Sequence, residues 1–255
     1  MTNVRTETDA TDNAPDAASA DPANRFEWLR ETRHRPALTG IIVTVMFVVW
    51  KCYGSPDFFR ARLSGEVSFT GDVAWDAGLY WCFANFLLLA AIAVVVKFGF
   101  RAQFSEFGMG TGRVLFGMSR LAMAAPVLLF LAWMSAQSDA FKVAYPMNKE
   151  VDATATLFAF HLFALFTFYV AWECLFRGLL QHGFAAGSNL ASAIVVQTLA
   201  TTLAHVDRPP GEMIGAIFAG LIWGRMVNRS QSVATAIGQH FLIGVAVDCW
   251  VCYGS

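Results

Sequence analysis

Charge is what this chain has least of. Only 15% of its 255 residues are Asp, Glu, Lys or Arg, against about 25% in an ordinary soluble domain. A net charge of -1 gives no electrostatic footprint for nucleic acid, and no zinc-finger or RNA-reading motif appears, so no nucleic-acid partner is expected. The five cysteines, Cys52, Cys82, Cys174, Cys249 and Cys252, follow neither a disulfide framework nor a metal knuckle, and read as small buried hydrophobes. HExxH is missing, which leaves a standard zinc peptidase unsupported. The GMGTG stretch beginning at Gly108 lacks the Lys-Ser/Thr pair of a phosphate-binding loop. Neither an internal repeat nor a soluble second domain is visible.

Apolar residues take the place of charge. They make up 56% of the chain, with 23 Phe, and the mean hydropathy is +0.49. Lipid offers exposed backbone groups no partners, so a spanning segment must be a helix of about 20 largely apolar residues. Such runs lie at Pro36–Cys52, Val73–Val96, Leu115–Ser135, Thr154–Leu180, Leu190–His205, Met213–Val227 and Val233–Cys252. The expected fold is all-α, a polytopic membrane helical bundle of about seven transmembrane helices. It fills residues 31–255, with a catalytic-like core at 153–252. The fifth and sixth runs are short for a straight span; little tilt, a locally thinned bilayer and a re-entrant course all stay open.

Residues 1–30 begin as a Thr-, Asp- and Ala-rich stretch that cannot bury enough surface to offset ordering, so a disordered tail is expected. No apolar h-region follows its start, so it is not read as a signal peptide. Arg5, Arg25, Arg30, Arg33, Arg35, Lys97, Arg101, Arg113, Arg120, Arg225 and Arg229 fall on one side of the bundle. Lys51, Arg60, Arg62, Lys142, Lys149 and Arg208 fall on the other. The positive-inside bias then places the N-terminus in the cytoplasm and the C-terminus outside a prokaryotic cytoplasmic membrane. Two connectors carry aromatics. Gly54–Asp72 reads either as a plain loop or as a surface segment with Phe58, Phe59 and Leu63 toward the headgroups; Arg101–Arg113, with Phe104 and Phe107, reads as an interfacial turn.

Ionisable groups inside lipid cost about 2.5 kcal/mol or more and usually face the bundle interior or a wet cavity. They concentrate in the C-terminal half: His161, Glu173 and Arg177 in the fourth run, His205 at the end of the fifth, His240 and Asp248 in the last. Glu173 and Arg177, four apart, share a helix face and can pair. That pairing alone would only neutralise Glu173 or join two helices. His205 and His240 stand beside small residues that permit close helix approach. A glutamate and two histidines brought together would polarise a water for attack on a carbonyl, with Glu173 as general base and a histidine donating to the oxyanion. Glu173, His205 and His240 would alternatively make a three-ligand zinc site with an open fourth position. A proton-coupled transporter and a buried structural network are further open readings. A nucleophilic Cys174 is disfavoured, being turned about 100° from Glu173 around the helix with nothing to activate it.

The order of these residues resembles the CPBP family, the CAAX-processing and bacteriocin-processing intramembrane glutamic endopeptidases. WECLFRGLLQHG, Trp172 to Gly183, is similar to the family's first motif, two adjacent glutamates, three residues often ending in Phe (here Phe176), then Arg-Gly-x-Leu. Thr201 to His205 stands for the second motif, Phe four before His. His240 to Gly244 stands for the third, His four before Asn, and Ala219–His240 is similar to the Gly-rich helix and Ser-containing turn leading into it. The resemblance runs from about Leu157 to Trp250. It implies an endopeptidase in the bilayer that cleaves a membrane-anchored or lipidated peptide or protein near the membrane face, with no cofactor.

In that reading Glu173 deprotonates water, His205 assists, His240 steadies the oxyanion and Arg177 keeps Glu173 ionised. Three positions depart from the pattern: Trp172 replaces the first glutamate, Thr201 the Phe and Gly244 the Asn. Asp248, one turn further on, or Gln239 would supply the missing polar function of a divergent enzyme. Alternatively Trp172 fills the place of the activated water, and the chain is an inactive member that binds or scaffolds membrane partners. Depth is a further constraint. Glu173 lies about two turns before the end of its run and His205 at the far end of the next, so they meet only if the fifth helix is short, tilted or re-entrant.

Overall fold

The computed structural model describes residues 32–254; the expected disordered tail at 1–30 lies outside the described residues. Regular structure among the described residues is all helical, chiefly α1 (Arg35–Tyr53), α2 (Pro56–Arg62), α3 (Val73–Gly99), α4 (Val114–Ala136), α5 (Asp139–Ala144), α6 (Ala155–Ala185), α7 (Leu190–Leu203), α8 (Pro210–Ser230) and α9 (Ala234–Tyr253). Short polar residues start the helices by accepting from otherwise orphaned N–H groups. The Ser55 hydroxyl accepts from Phe58 N, Asp72 from Ala74 N and Trp75 N, Thr154 from Leu157 N, and Asn189 from Ser192 N.

Five helices, α1, α3, α4, α6 and α9, are long and apolar enough to cross a membrane, where about seven were expected. Two physical reasons account for the difference. Helix α7 has 14 residues, about 21 Å at 1.5 Å per residue, against about 30 Å of hydrocarbon. Helix α8 has 21 residues, but Glu212 at its start and Arg225, Asn228 and Arg229 at its end dilute its apolar run. Helix α8 still turns Ile214, Ile217, Phe218, Leu221 and Ile222 outward. Helix α4 is clad in exposed Leu, Met, Val and Phe, as a lipid-facing helix should be.

Loop-to-loop contacts define two faces. On one, the backbone N–H of Arg113 donates to Ser230 O at 2.7 Å, that of Val233 donates to Gly108 O at 2.8 Å, and Arg35 lies over the Phe100 ring. The connector 101–113 is thereby tied down onto the α8–α9 turn. Gly112 makes this possible: its φ is +54°, and a Cβ would fall 2.7 Å from Gln231 O. On the other face, Lys51 donates to Ala204 O and to Asp207, and Arg60 donates to Asn148 and Lys149 O. Helix α2 lies here. Of its aromatics, Phe59 turns inward and packs on Tyr80, which corrects the reading of that ring as lipid-headgroup facing.

Small residues and amides join the helices where backbones come close. A Cβ on Gly220 would fall 2.6 Å from Thr198 Oγ1, and the Gln197 amide donates to Gly220 O at 2.7 Å, locking α7 to α8. The Gln181 amide donates to Gly224 O, bringing α6 to the same place. Nearer the second face, Trp50 Nε1 donates to Asn85 Oδ1 and Asn85 Nδ2 to Thr167 Oγ1, linking α1, α3 and α6.

Candidate active site

Helix α6 loosens into π turns over Cys174–Leu180, a device that re-aims side chains and recurs at functional sites. Glu173 stands at the entry to this segment. Its Oε1 accepts from Arg177 Nη1 at 3.1 Å and from His240 Nδ1 at 2.7 Å. Glu173 is fully buried and Arg177 nearly so, so each charge depends on the other for compensation. The guanidinium also lies 5.6 Å from the centroid of Trp223. His240 is held between the rings of Tyr169 and Trp223, at centroid separations of 4.1 Å and 5.0 Å.

The depth constraint is met by helix length. Helix α6 continues past Leu180 to Ala185, so Glu173 stands about 18 Å before its end, and α7 returns by about 21 Å. His205 therefore comes back to the level of Glu173, with its ring 5.3 Å from that of Trp172. Its Nδ1–H donates to Thr201 O at 2.6 Å, and its Nε2 lies 3.4 Å from Glu212 Oε1. In both histidines Nδ1 is committed, one to a carboxylate and one to a carbonyl, so Nε2 is the nitrogen left over for chemistry.

Both histidines line one cavity of about 160 Å³, together with Trp172, Glu212, Arg208 and aromatic walls that include Trp50 and Phe168. Lys51, Asp57 and Asp207 stand at its rim on the second face. Trp172 packs against Trp50, Phe168, Phe176 and both histidines, and its Nε1 is buried without a partner. Outside the membrane core, the Lys51 ammonium holds the Asp207 carboxyl below its ordinary value by hydrogen bonding to it.

The structure gathers Glu173, Arg177, His240, Trp172 and His205, and separates the rest. Phe176 packs on Trp172 and Phe47, away from the cavity lining. Gln239 accepts from Trp223 Nε1 at 2.8 Å, so it braces the ring that flanks His240. Asp248 pairs with His161 Nε2 at 2.7 Å in a buried layer of its own. At Gly244 the missing side chain is replaced in space by Tyr169: an added Cβ would meet the phenol, with Cε2 only 2.6 Å away. Among the described residues no three His, Cys, Asp or Glu side chains gather as metal ligands.

Residues 153–246 match a protein family, the Rce1-like type II CAAX prenyl endopeptidases. No curated protein and no solved structure matches the chain. The matched region contains Trp172, Glu173, Arg177, His205, Glu212 and His240. The similarity is to membrane proteases of the CAAX kind, and the architecture is an all-α membrane bundle. Sequence reasoning missed two neighbours. Tyr169 stands four before Glu173, on the same helix face, a spacing that would have found it. Glu212, after Pro209–Pro210–Gly211, reads as an acid complementing a helix N-terminus, which hides its proximity to His205.

Proposed function

We propose that this chain is an intramembrane peptidase of the glutamic, CPBP-like kind, hydrolysing a peptide bond of a membrane-anchored or lipidated chain without a cofactor. The observation that carries the reading is a single cavity with two histidines on its walls, each with Nδ1 anchored and Nε2 left over. Water added from the His205 side would meet a carbonyl whose oxygen turns toward His240. Glu173 accepts from His240 Nδ1–H and fixes the ring so that the imidazolium would present Nε2–H to the developing oxyanion. Arg177 pairs with the Glu173 carboxylate at 3.1 Å in these dry surroundings. Aromatic walls exclude bulk water and strengthen these contacts.

The cavity opens on the face opposite the Lys/Arg-rich side. With the N-terminus cytoplasmic, the substrate is a chain presented on the outer side of the membrane. The catalytic-like core is 153–252, and the remaining helices embed it in lipid.

The test uses the full chain in lipid vesicles with quenched fluorescent peptides anchored by a prenyl group or by an apolar helix. Wild type cleaves; Glu173→Gln, His205→Ala and His240→Ala lose activity while eluting as the wild type does. Equal cleavage by wild type and Glu173→Gln would defeat the role given to Glu173.

A further inference from the structure

The peptidase reading needs a carboxylate that can reach a water inside the cavity. Glu173 does not line the cavity, and its Oε1 already accepts from both Arg177 and His240. Glu212 does line it. Its Oε1 lies 3.4 Å from His205 Nε2, while its Oε2 is buried without a hydrogen-bond partner. The Tyr145 hydroxyl also approaches the Glu212 carboxyl as a hydrogen-bond donor, short of a full hydrogen bond to Oε2. Two buried polar atoms of the lining lack partners: an acceptor, Glu212 Oε2, and a donor, Trp172 Nε1. Buried polar atoms left unpaired are costly, and a bound water or substrate group is what satisfies them.

The His205 tautomer sharpens this. Its Nδ1 must carry hydrogen, because Thr201 O can only accept. A neutral His205 therefore turns a lone pair toward Glu212, which an ionised carboxylate at that distance would repel. The pair is relieved when it shares one proton or when a water donates to both. Either state is an acid–base pair facing the cavity, with Nε2 and Oε2 as its working atoms.

Resting on the peptidase reading above, we propose that Glu212, delivered by the first turn of α8, is the carboxylate that takes the proton of the attacking water. The water oxygen forms a bond to the carbonyl carbon as the carbonyl π pair moves onto oxygen, and the water proton passes to Glu212. Collapse of the tetrahedral intermediate breaks the C–N bond, and the same proton, carried by Glu212 or handed through His205 Nε2, goes to the leaving amine. The products are a carboxylic acid and an amine, with one water consumed. Glu173 then acts as a positioning residue, through His240.

The experiment compares wild type, Glu212→Gln and Glu212→Asp in vesicles with both anchored peptides, alongside ¹⁵N-histidine NMR of the full chain. Glu212→Gln lowers kcat about 100-fold or more with KM nearly unchanged, Glu212→Asp falls between, and the His205 titration midpoint moves by about one unit. An active wild type matched by Glu212→Gln overturns the base assignment and leaves the peptidase reading standing. A wild type inert toward both peptides overturns the two together. If Glu212→Gln fails to fold, Glu212→Asp carries the test: kcat unchanged and an unmoved His205 midpoint overturn the assignment.

Discussion

Replacing Arg177 with Met should be far more damaging than the loss of one hydrogen bond. The guanidinium and the Glu173 carboxylate are both out of solvent, joined at 3.1 Å. Removing one partner of such a pair leaves an uncompensated charge, worth about 3–5 kcal/mol. Glu173→Gln should cost a similar amount: it keeps an amide oxygen for His240 Nδ1–H but leaves Arg177 charged and unmatched. In the double variant neither charge is left over, so its cost should fall short of the summed single costs by about 2 kcal/mol or more. Reversible unfolding of the purified chain in mixed micelles, titrated with SDS and followed by Trp fluorescence, reads all three values. Strict additivity would refute the reasoning, because it would mean that solvent, not Glu173, balances Arg177.

The other expectations can be checked on the same preparations. Gly244→Ala places a methyl against the Tyr169 ring and should cost about 1–3 kcal/mol by overpacking; unchanged stability would show that the phenol swings clear. Asp248→Asn weakens the bond to His161 and should cost about 1.5–3 kcal/mol with kcat per folded molecule retained, whereas loss of kcat would place Asp248 in the site. The carboxyl of Asp207 is depressed by Lys51, so this pair adds stability above about pH 3.9 and loses it as pH falls through the lower native value. The wild-type minus Asp207→Asn stability difference should vanish there, and a difference persisting in stronger acid would contradict the pairing. For orientation, an impermeant maleimide should label Asp57→Cys and not Arg229→Cys in intact cells whose Cys52, Cys249 and Cys252 have been replaced; the reverse pattern inverts the topology.

Helix positions were legible in the residues because apolar run length is a strong signal: Leu115–Ser135 was expected and Val114–Ala136 is found. What is illegible is how far a run penetrates. The expected run ends at Leu180, yet α6 goes on to Ala185, and there Gln181 finds an acceptor in Gly224 O. The partners of Glu173 were legible from spacing and chemistry, since Arg177 lies one turn away and an intramembrane histidine needs an acceptor. Glu212 was hidden because its relation to His205 depends on how the α7–α8 connection folds back. The partner of Asp248 was hidden for the same kind of reason, since His161 comes from another helix.

The 101–113 connector has a consequence for permeability. From Trp172 toward the Lys/Arg-rich face, a continuous apolar core runs through Leu175, Phe176, Leu179 and Phe100 to Phe107, where the connector caps it. The cavity is thus a vestibule with one door. Water and ions entering from the second face meet a dry plug instead of a conducting path, so the membrane keeps its potential. Shortening that connector should turn the chamber into a leak before it alters anything at His240.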